Sequence, residues 1–188
     1  MRKGLKPGTW DVLAPLSNGD FVRLWLANGL WWQAMWIEMM VLGWLALELT
    51  DSPWWVQVIG FYRSIPLLLI GLFGSAITDR FKRRHLVLTL QAANVVAALS
   101  LALLLWSGNL KFWHLSVVAL AMGSTWALDW PTRRSMIPDL VGKAQTVDAM
   151  VLENFIQGFT RISGPLAAGY IMAVYGTLGA LIILVGLG

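Results

Sequence analysis

The chain has 188 residues, of which 57% are hydrophobic and 13% charged, about half the roughly 25% charge of a soluble domain, and its mean hydropathy is +0.65. It has no Cys, which excludes disulfides, Cys-ligated zinc and thiol nucleophiles. The net charge of +4 comes from Lys and Arg gathered in a few short stretches, which describes membrane topology and not a nucleic-acid partner.

Residues 1–20 read as an irregular cytoplasmic tail. The tail is polar, holds Pro7, Pro15 and Gly19, and lacks the apolar core of a cleavable signal peptide. Asn18-Gly19-Asp20 is a turn and cap before a first helix predicted over about 21–47, long enough to cross a ~30 Å hydrocarbon core with tilt. Glu48 to Pro53 carries acid but no Lys or Arg and reads as an external loop, after which Trp54-Trp55 opens a second span over about 54–78. That span stops abruptly. Five charges follow within six residues (Asp79, Arg80, Lys82, Arg83 and Arg84), and another apolar run begins at His85. Hydrocarbon on both sides of dense cationic charge describes a very short cytoplasmic loop between two membrane helices.

A third span is predicted over about 85–106, with an external turn at Ser107 to Phe112. A fourth over about 113–130 is expected to end at Pro131. The polar stretch from Thr132 to Lys143, with Arg133 and Arg134, then reads as a cytoplasmic loop between helices four and five. A fifth span over about 147–174 passes Glu153, Asn154, Arg161 and Gly164-Pro165; Tyr175-Gly176-Thr177 turns outward. The last run, 178–188, is roughly 16 Å as helix, about half a bilayer. It is expected to be a sixth helix cut short, with further chain missing beyond it. The alternative partition makes 164–188 a single span and leaves 147–163 as an interfacial helix.

Charge distribution orients this all-α integral membrane bundle. Arg2, Lys3, Lys6, Arg23, Arg80, Lys82, Arg83, Arg84, Arg133, Arg134 and Lys143, eleven of the fourteen Lys and Arg, fall on one side, against Lys111 on the other. The N-terminus is therefore expected in the cytoplasm. Twelve Trp fit interfacial belts.

Ionisable groups inside the spans are the candidates for chemistry, because a charge in hydrocarbon is costly and needs a partner. Glu38 and Arg63 lie at similar depth on consecutive antiparallel helices and can pair, either as a carboxylate that titrates as a proton moves or as a static packing contact. Arg161, near the middle of helix five, does not release a proton and serves as a partner or an anion contact. Asn28, Gln33, Gln91, Asn94, Asn154 and Gln157 either line a wet cavity or bond between helices. Gly164-Pro165 marks a kink or close contact, and the spacing to Gly169 fits a close helix approach. With His85 and His114 predicted on opposite faces and no other metal-type ligands clustered, neither a metal site nor a catalytic residue is expected, and the chain is not read as an enzyme.

Four stretches carry a family resemblance. Ser75 to Arg84 resembles the loop 2–3 motif of the major facilitator superfamily, Gly-x-x-x-Asp-Arg-x-Gly-Arg-Arg/Lys. Asp79, Arg80, Arg83 and Arg84 match; Ser75 and Lys82 stand in place of the glycines. Arg63-Ser-Ile-Pro66, Pro131 to Val141, and Arg161-Ile-Ser-Gly-Pro-Leu-Ala-Ala-Gly169 are similar to the branch that holds enterobactin exporters and drug-efflux proteins. The resemblance implies the N-terminal six-helix half of a twelve-helix transporter, with substrate between two halves that rock. It implies a cytoplasmic gate at Asp79, anchored by Arg80, Arg83 and Arg84. It also implies an antiporter-type Gly164-Pro165 stretch, departing from the family pattern at Leu166 to Gly169. The partners so implied are a small amphipathic substrate (drug- or siderophore-like), protons, the lipid bilayer and a C-terminal half of the same protein, with no cofactor. The expected location is the plasma (inner) membrane, and the expected activity is proton-coupled export, with uptake by the same fold or a homodimeric six-helix scaffold as alternatives.

Overall fold

The computed structural model describes residues 11–78 and 83–187, and among them it is all helical. A short 3-10 helix, Asp11–Ser17, precedes α1 (Gly19–Thr50), α2 (Pro53–Thr78), α3 (Arg83–Trp106), α4 (Phe112–Val141) and α5 (Thr146–Leu187). Helical geometry breaks inside α5 at Gly176 (φ 70, ψ 177), dividing it into two helices, 146–175 and 177–187. The α1 start is set by Asn18, whose Oδ1 accepts from the backbone N–H groups of Asp20 (3.0 Å) and Phe21 (3.2 Å) and so satisfies donors that a helix terminus leaves unpaired. The same side chain donates to the Leu140 carbonyl at 2.8 Å, pinning the start of α1 to the end of α4.

Two parallel helix pairs build the bundle. Along α1 and α5 the contacts climb together: Trp25 Nε1 donates to the Leu152 carbonyl (3.0 Å), Gly29 faces Ile156, and Gly164 faces Trp36. Along α2 and α4 they do the same, from the Trp55 and Phe112 rings (centroids 4.8 Å apart) to Gly123 against the Arg63 backbone. At Gly123 a β-carbon would collide with the Arg63 carbonyl, and at Gly164 one would collide with the Trp36 side chain, so only glycine permits these approaches. Past Gly176 the chain reverses: Leu184 lines the same small cavity as Glu38 and Ala98, at the depth where Gly164 had already met Trp36.

The core has an outer cluster, with Ile37, Val41 and Leu42 of α1, Leu101 of α3, Leu115 and Ala119 of α4, and Leu181 and Leu184 of the last segment. A smaller inner one joins Phe21, Ile137, Ala149 and Leu152. Outward faces carry exposed Leu68, Leu88, Val96, Leu103 and Ile182, the apolar coat that hydrocarbon solvates at no cost. Three helical stretches, Gly19–Thr50, His85–Trp106 and Thr146–Leu187, are long and apolar enough to cross a membrane by length and composition.

Several boundaries differ from the sequence expectation: Asp11–Ser17 of the expected irregular tail is a 3-10 helix, α1 runs on to Thr50, and Arg83 and Arg84 of the expected loop belong to α3. The largest departure is in helix four. Helix four does not end at Trp130, and the stretch read as a loop with Arg133 and Arg134 is helix, because α4 continues through Pro131 and Pro138 to Val141. A proline inside a helix removes one backbone hydrogen bond and crowds the preceding turn. Here the extension is offset by burial: Thr132 Oγ1 donates to the Leu128 carbonyl (2.6 Å), Ile137 is fully buried against Phe21, and Arg133 is held by side chains from two other helices.

Candidate functional site

Helices α1, α2, α4 and α5 wall an open cleft of about 650 Å³. Its α1 wall is Trp32, Met35, Trp36 and Met39, an i, i+3, i+4, i+7 stripe that puts four bulky side chains on one face. Trp126 and Trp130, one turn apart on α4, stack with centroids 6.3 Å apart and planes 14° from parallel. Opposite them α5 presents Asn154, Gln157, Gly158 and Arg161, and α2 presents Gly60, Arg63 and Ser64. The size and lining, apolar and aromatic walls with a few polar groups, are those of a small-molecule site.

Behind this cleft Arg63 Nη1 donates to Glu38 Oε1 in an ion pair whose side chains are about one-tenth exposed. The Arg63 guanidinium also lies over the Trp126 ring, 6.0 Å from its centroid, a cation–π contact that holds it between the pair and the cleft. Glu38, Arg63, Gln91 and Asn94 line a second, tight cavity of about 40 Å³, room for one or two water molecules.

Toward the inner end lies a buried network built on Arg133. Its Nε donates to Asp129 Oδ1 (2.9 Å), Nη1 to Asn28 Oδ1 (3.3 Å) and Nη2 to Gln91 Oε1 (3.2 Å). The guanidinium also sits 5.1 Å from the Trp31 centroid. Asn28 passes the chain on, donating to Glu153 Oε2 (3.1 Å), while Trp32 Nε1 donates to Glu153 Oε1 (3.3 Å). This network links α1, α3, α4 and α5, and Asp129 Oδ2 is a buried oxygen in it that is left without a hydrogen-bond partner among the described residues.

The sequence-predicted residues are distributed as follows. Glu38 and Arg63 meet. Arg161 lines the cleft with its guanidinium 5.9 Å from the Trp36 centroid, and Arg134 lies 6.0 Å from that of Trp130. Arg133 is no loop cation: it is 8% exposed and inside the network. Gly164 is the close-approach site, but Gly169 is not, since a β-carbon there would meet open space. Five residues advance a helix by about 500°, which turns Gly169 well away from the Gly164 face; fully buried Ala168, at i+4, takes that role. Pro165 lies within the continuous helix of α5. Asp79 and Arg80 lie outside the described residues, and Arg83 and Arg84 begin the α3 backbone.

Of the six polar positions, Asn28, Gln33, Gln91 and Asn94 bond between helices, Gln33 accepting from Ser163 (2.9 Å) and Asn94 from Thr125 (2.6 Å). Asn154 and Gln157 face the cleft. Sequence reasoning missed Asp129 and did not assign Glu153; the signal for the first was the i, i+4 spacing of Asp129 and Arg133. It also gave Trp32, Trp36, Trp126 and Trp130 to interfacial belts when they wall the cleft.

A family profile described as transmembrane secretion effector matches residues 10–185 of the chain. The chain is also similar to the staphyloferrin A transporter of Staphylococcus aureus, 30% identical over 141 residues, which is 74% of this chain and 36% of that relative. It therefore spans little more than a third of the relative's length. An all-helical bundle whose two parallel helix pairs enclose a tryptophan-walled cleft, matched across residues 10–185, belongs to the transmembrane secretion effector family of major facilitator proteins.

Proposed function

We propose that this chain forms the N-terminal half of a secondary active transporter that exports a small amphipathic compound across the plasma membrane by alternating access, coupled to protons. The observation that carries the reading is the cleft, a small-molecule-sized volume walled by four Trp and edged by Arg63, Asn154, Gln157 and Arg161. A cleft at this depth, open along one side of the bundle, is what half of a midplane site between two rocking halves requires. The similarity to a protein named as the staphyloferrin A transporter supports a small molecule as cargo. The one-sided placement of Lys and Arg supports a cytoplasmic N-terminus.

Roles follow from position. Glu38 is the coupling carboxylate: it sits at the back of the cleft against Arg63, beside a cavity with room for one or two water molecules. Asp79 with Arg80, Arg83 and Arg84 forms the cytoplasmic gate, and the Gly164-Pro165 stretch lets α5 lie close against α1 while the halves move. The test is proton-gradient-dependent efflux of a fluorescent amphipathic dye from vesicles, comparing this 188-residue chain with the full-length protein. Flux by the full-length protein alone, collapsed by an uncoupler, is the expected result. Flux driven by the short chain itself would replace the half-transporter reading with a six-helix homodimer, and flux that ignores the proton gradient would remove the coupling.

A further inference from the structure

We infer that the cleft selects an oxyanion-bearing substrate, a planar or aromatic molecule with a carboxylate or sulfonate, and that Arg161 is the residue that selects it. The inference deepens the transporter reading and rests on it for the cleft being a substrate site. Among the described residues thirteen line the cleft; two are Arg and none is Asp or Glu. Arg63 is already matched by Glu38. Arg161 is not: among the described residues no carboxylate pairs with it, and its contact is the face of Trp36. Arg161 is exposed on the open side of the cleft, and its guanidinium is always charged. That charge is available to an anion entering the cleft, so the site favours anionic over neutral or cationic molecules of the same shape.

The neighbours of Arg161 add direction. Asn154, Gln157 and Arg161 are spaced by three and four residues, so they form one stripe of hydrogen-bond donors along α5. A single carboxylate from another helix would engage one position of that stripe. An elongated ligand with oxygen atoms along one edge engages all three. Facing the stripe, Trp36 and the stacked Trp126 and Trp130 offer flat apolar surface for the other side of the ligand. The Arg161 guanidinium lies 5.9 Å from the Trp36 centroid, and its planar fork of N–H groups is the geometry that binds an oxyanion through two parallel bonds.

The experiment uses two xanthene dyes of similar size and opposite charge, carboxyfluorescein and rhodamine 6G, with the full-length protein purified in neutral detergent. Binding is read by fluorescence polarisation, and flux is read separately in proteoliposomes. Wild type is expected to bind the anion at least tenfold more tightly than the cation. Arg161→Gln is expected to lose anion binding by roughly 10- to 100-fold and to leave cation binding unchanged or improved, while Arg161→Lys keeps part of the preference. Equal binding of the two dyes by wild type, a cation preference, or no binding of either overturns the inference. So does an Arg161→Gln protein of normal thermal stability that weakens both dyes alike, which would make Arg161 a packing or interhalf contact. The proteoliposomes separate the two readings: rhodamine flux without anion preference keeps the transporter and removes the oxyanion site. Anion binding without any flux does the reverse.

Discussion

One guanidinium ties three helices together at the inner end of the bundle. Arg133 meets Asp129 within α4, Asn28 and the Trp31 ring on α1, and Gln91 on α3. Removing one member of a buried ion pair leaves the other charge buried and unmatched, at a cost of about 3–5 kcal/mol. Arg133→Leu is therefore expected to lower unfolding stability by that order in a denaturant titration, and adding Asp129→Asn to it should recover part of the loss. Strictly additive losses in that double-mutant cycle would dissolve the pair as a unit. Glu38 invites a different substitution, because the proposal for it concerns a proton. Glu38→Gln keeps the side chain's shape beside Arg63 and removes the titration, so transport that varies with pH in the wild type is expected to lose that variation. An unchanged pH profile would assign Glu38 to packing alone. The two sites also differ in how they could be read from the chain. Glu38 and Arg63 stand out as lone charges in apolar runs, where burial is expensive enough to force a partner. Asp129 and Arg133 were hidden because ending a helix at Pro131 places them on different elements and breaks the one-turn spacing that joins them.

Among elements, the closest contacts are set by glycine and by helices that are not sequence neighbours. α2 approaches α4 where Gly123 rests on the Arg63 carbonyl, and backbone has no rotamer by which to give way. Gly123→Ala is expected to push the helices apart and destabilise by about 1–3 kcal/mol, the usual cost of overpacking. Gly169→Ala serves as its control: it adds the same methyl group to a position with open space around it, and in a helix this change stabilises by about 0.4–1 kcal/mol. Thermal unfolding of the two variants side by side decides the point, and similar shifts in both would remove the packing argument at Gly123. The pairing of α1 with α5 and of α2 with α4 could not be seen in periodicity, because a helix that is apolar on every side has no amphipathic face to name its neighbour. For the same reason the tryptophans looked alike in sequence. Trp54, Trp106 and Trp113 are exposed near helix ends; Trp32, Trp36, Trp126 and Trp130 have turned inward, and only the register of α1 against α5 and of α2 against α4 distinguishes them.

For the molecule as a whole, the all-helical membrane fold was legible because hydrocarbon imposes long apolar runs directly on the sequence. The cleft was not, since it depends on which four helices converge. Asp79 stands in the stretch between α2 and α3. Both of these helices pack on α4, which walls the cleft. At the same end of the bundle Arg133 fastens α1, α3 and α4 into one body. The gate proposed at Asp79 would act without touching the substrate, and a neutral amide there would give up the charge-assisted hydrogen bonds that a carboxylate makes to arginine. Asp79→Asn in the full-length protein is therefore expected to abolish transport, to leave membrane insertion and thermal stability close to wild type, and to leave dye binding in detergent intact. Wild-type flux from that variant would remove the gate from Asp79; lost insertion would show that the charge acts in topology, where a short loop of cations needs its one acid least of all.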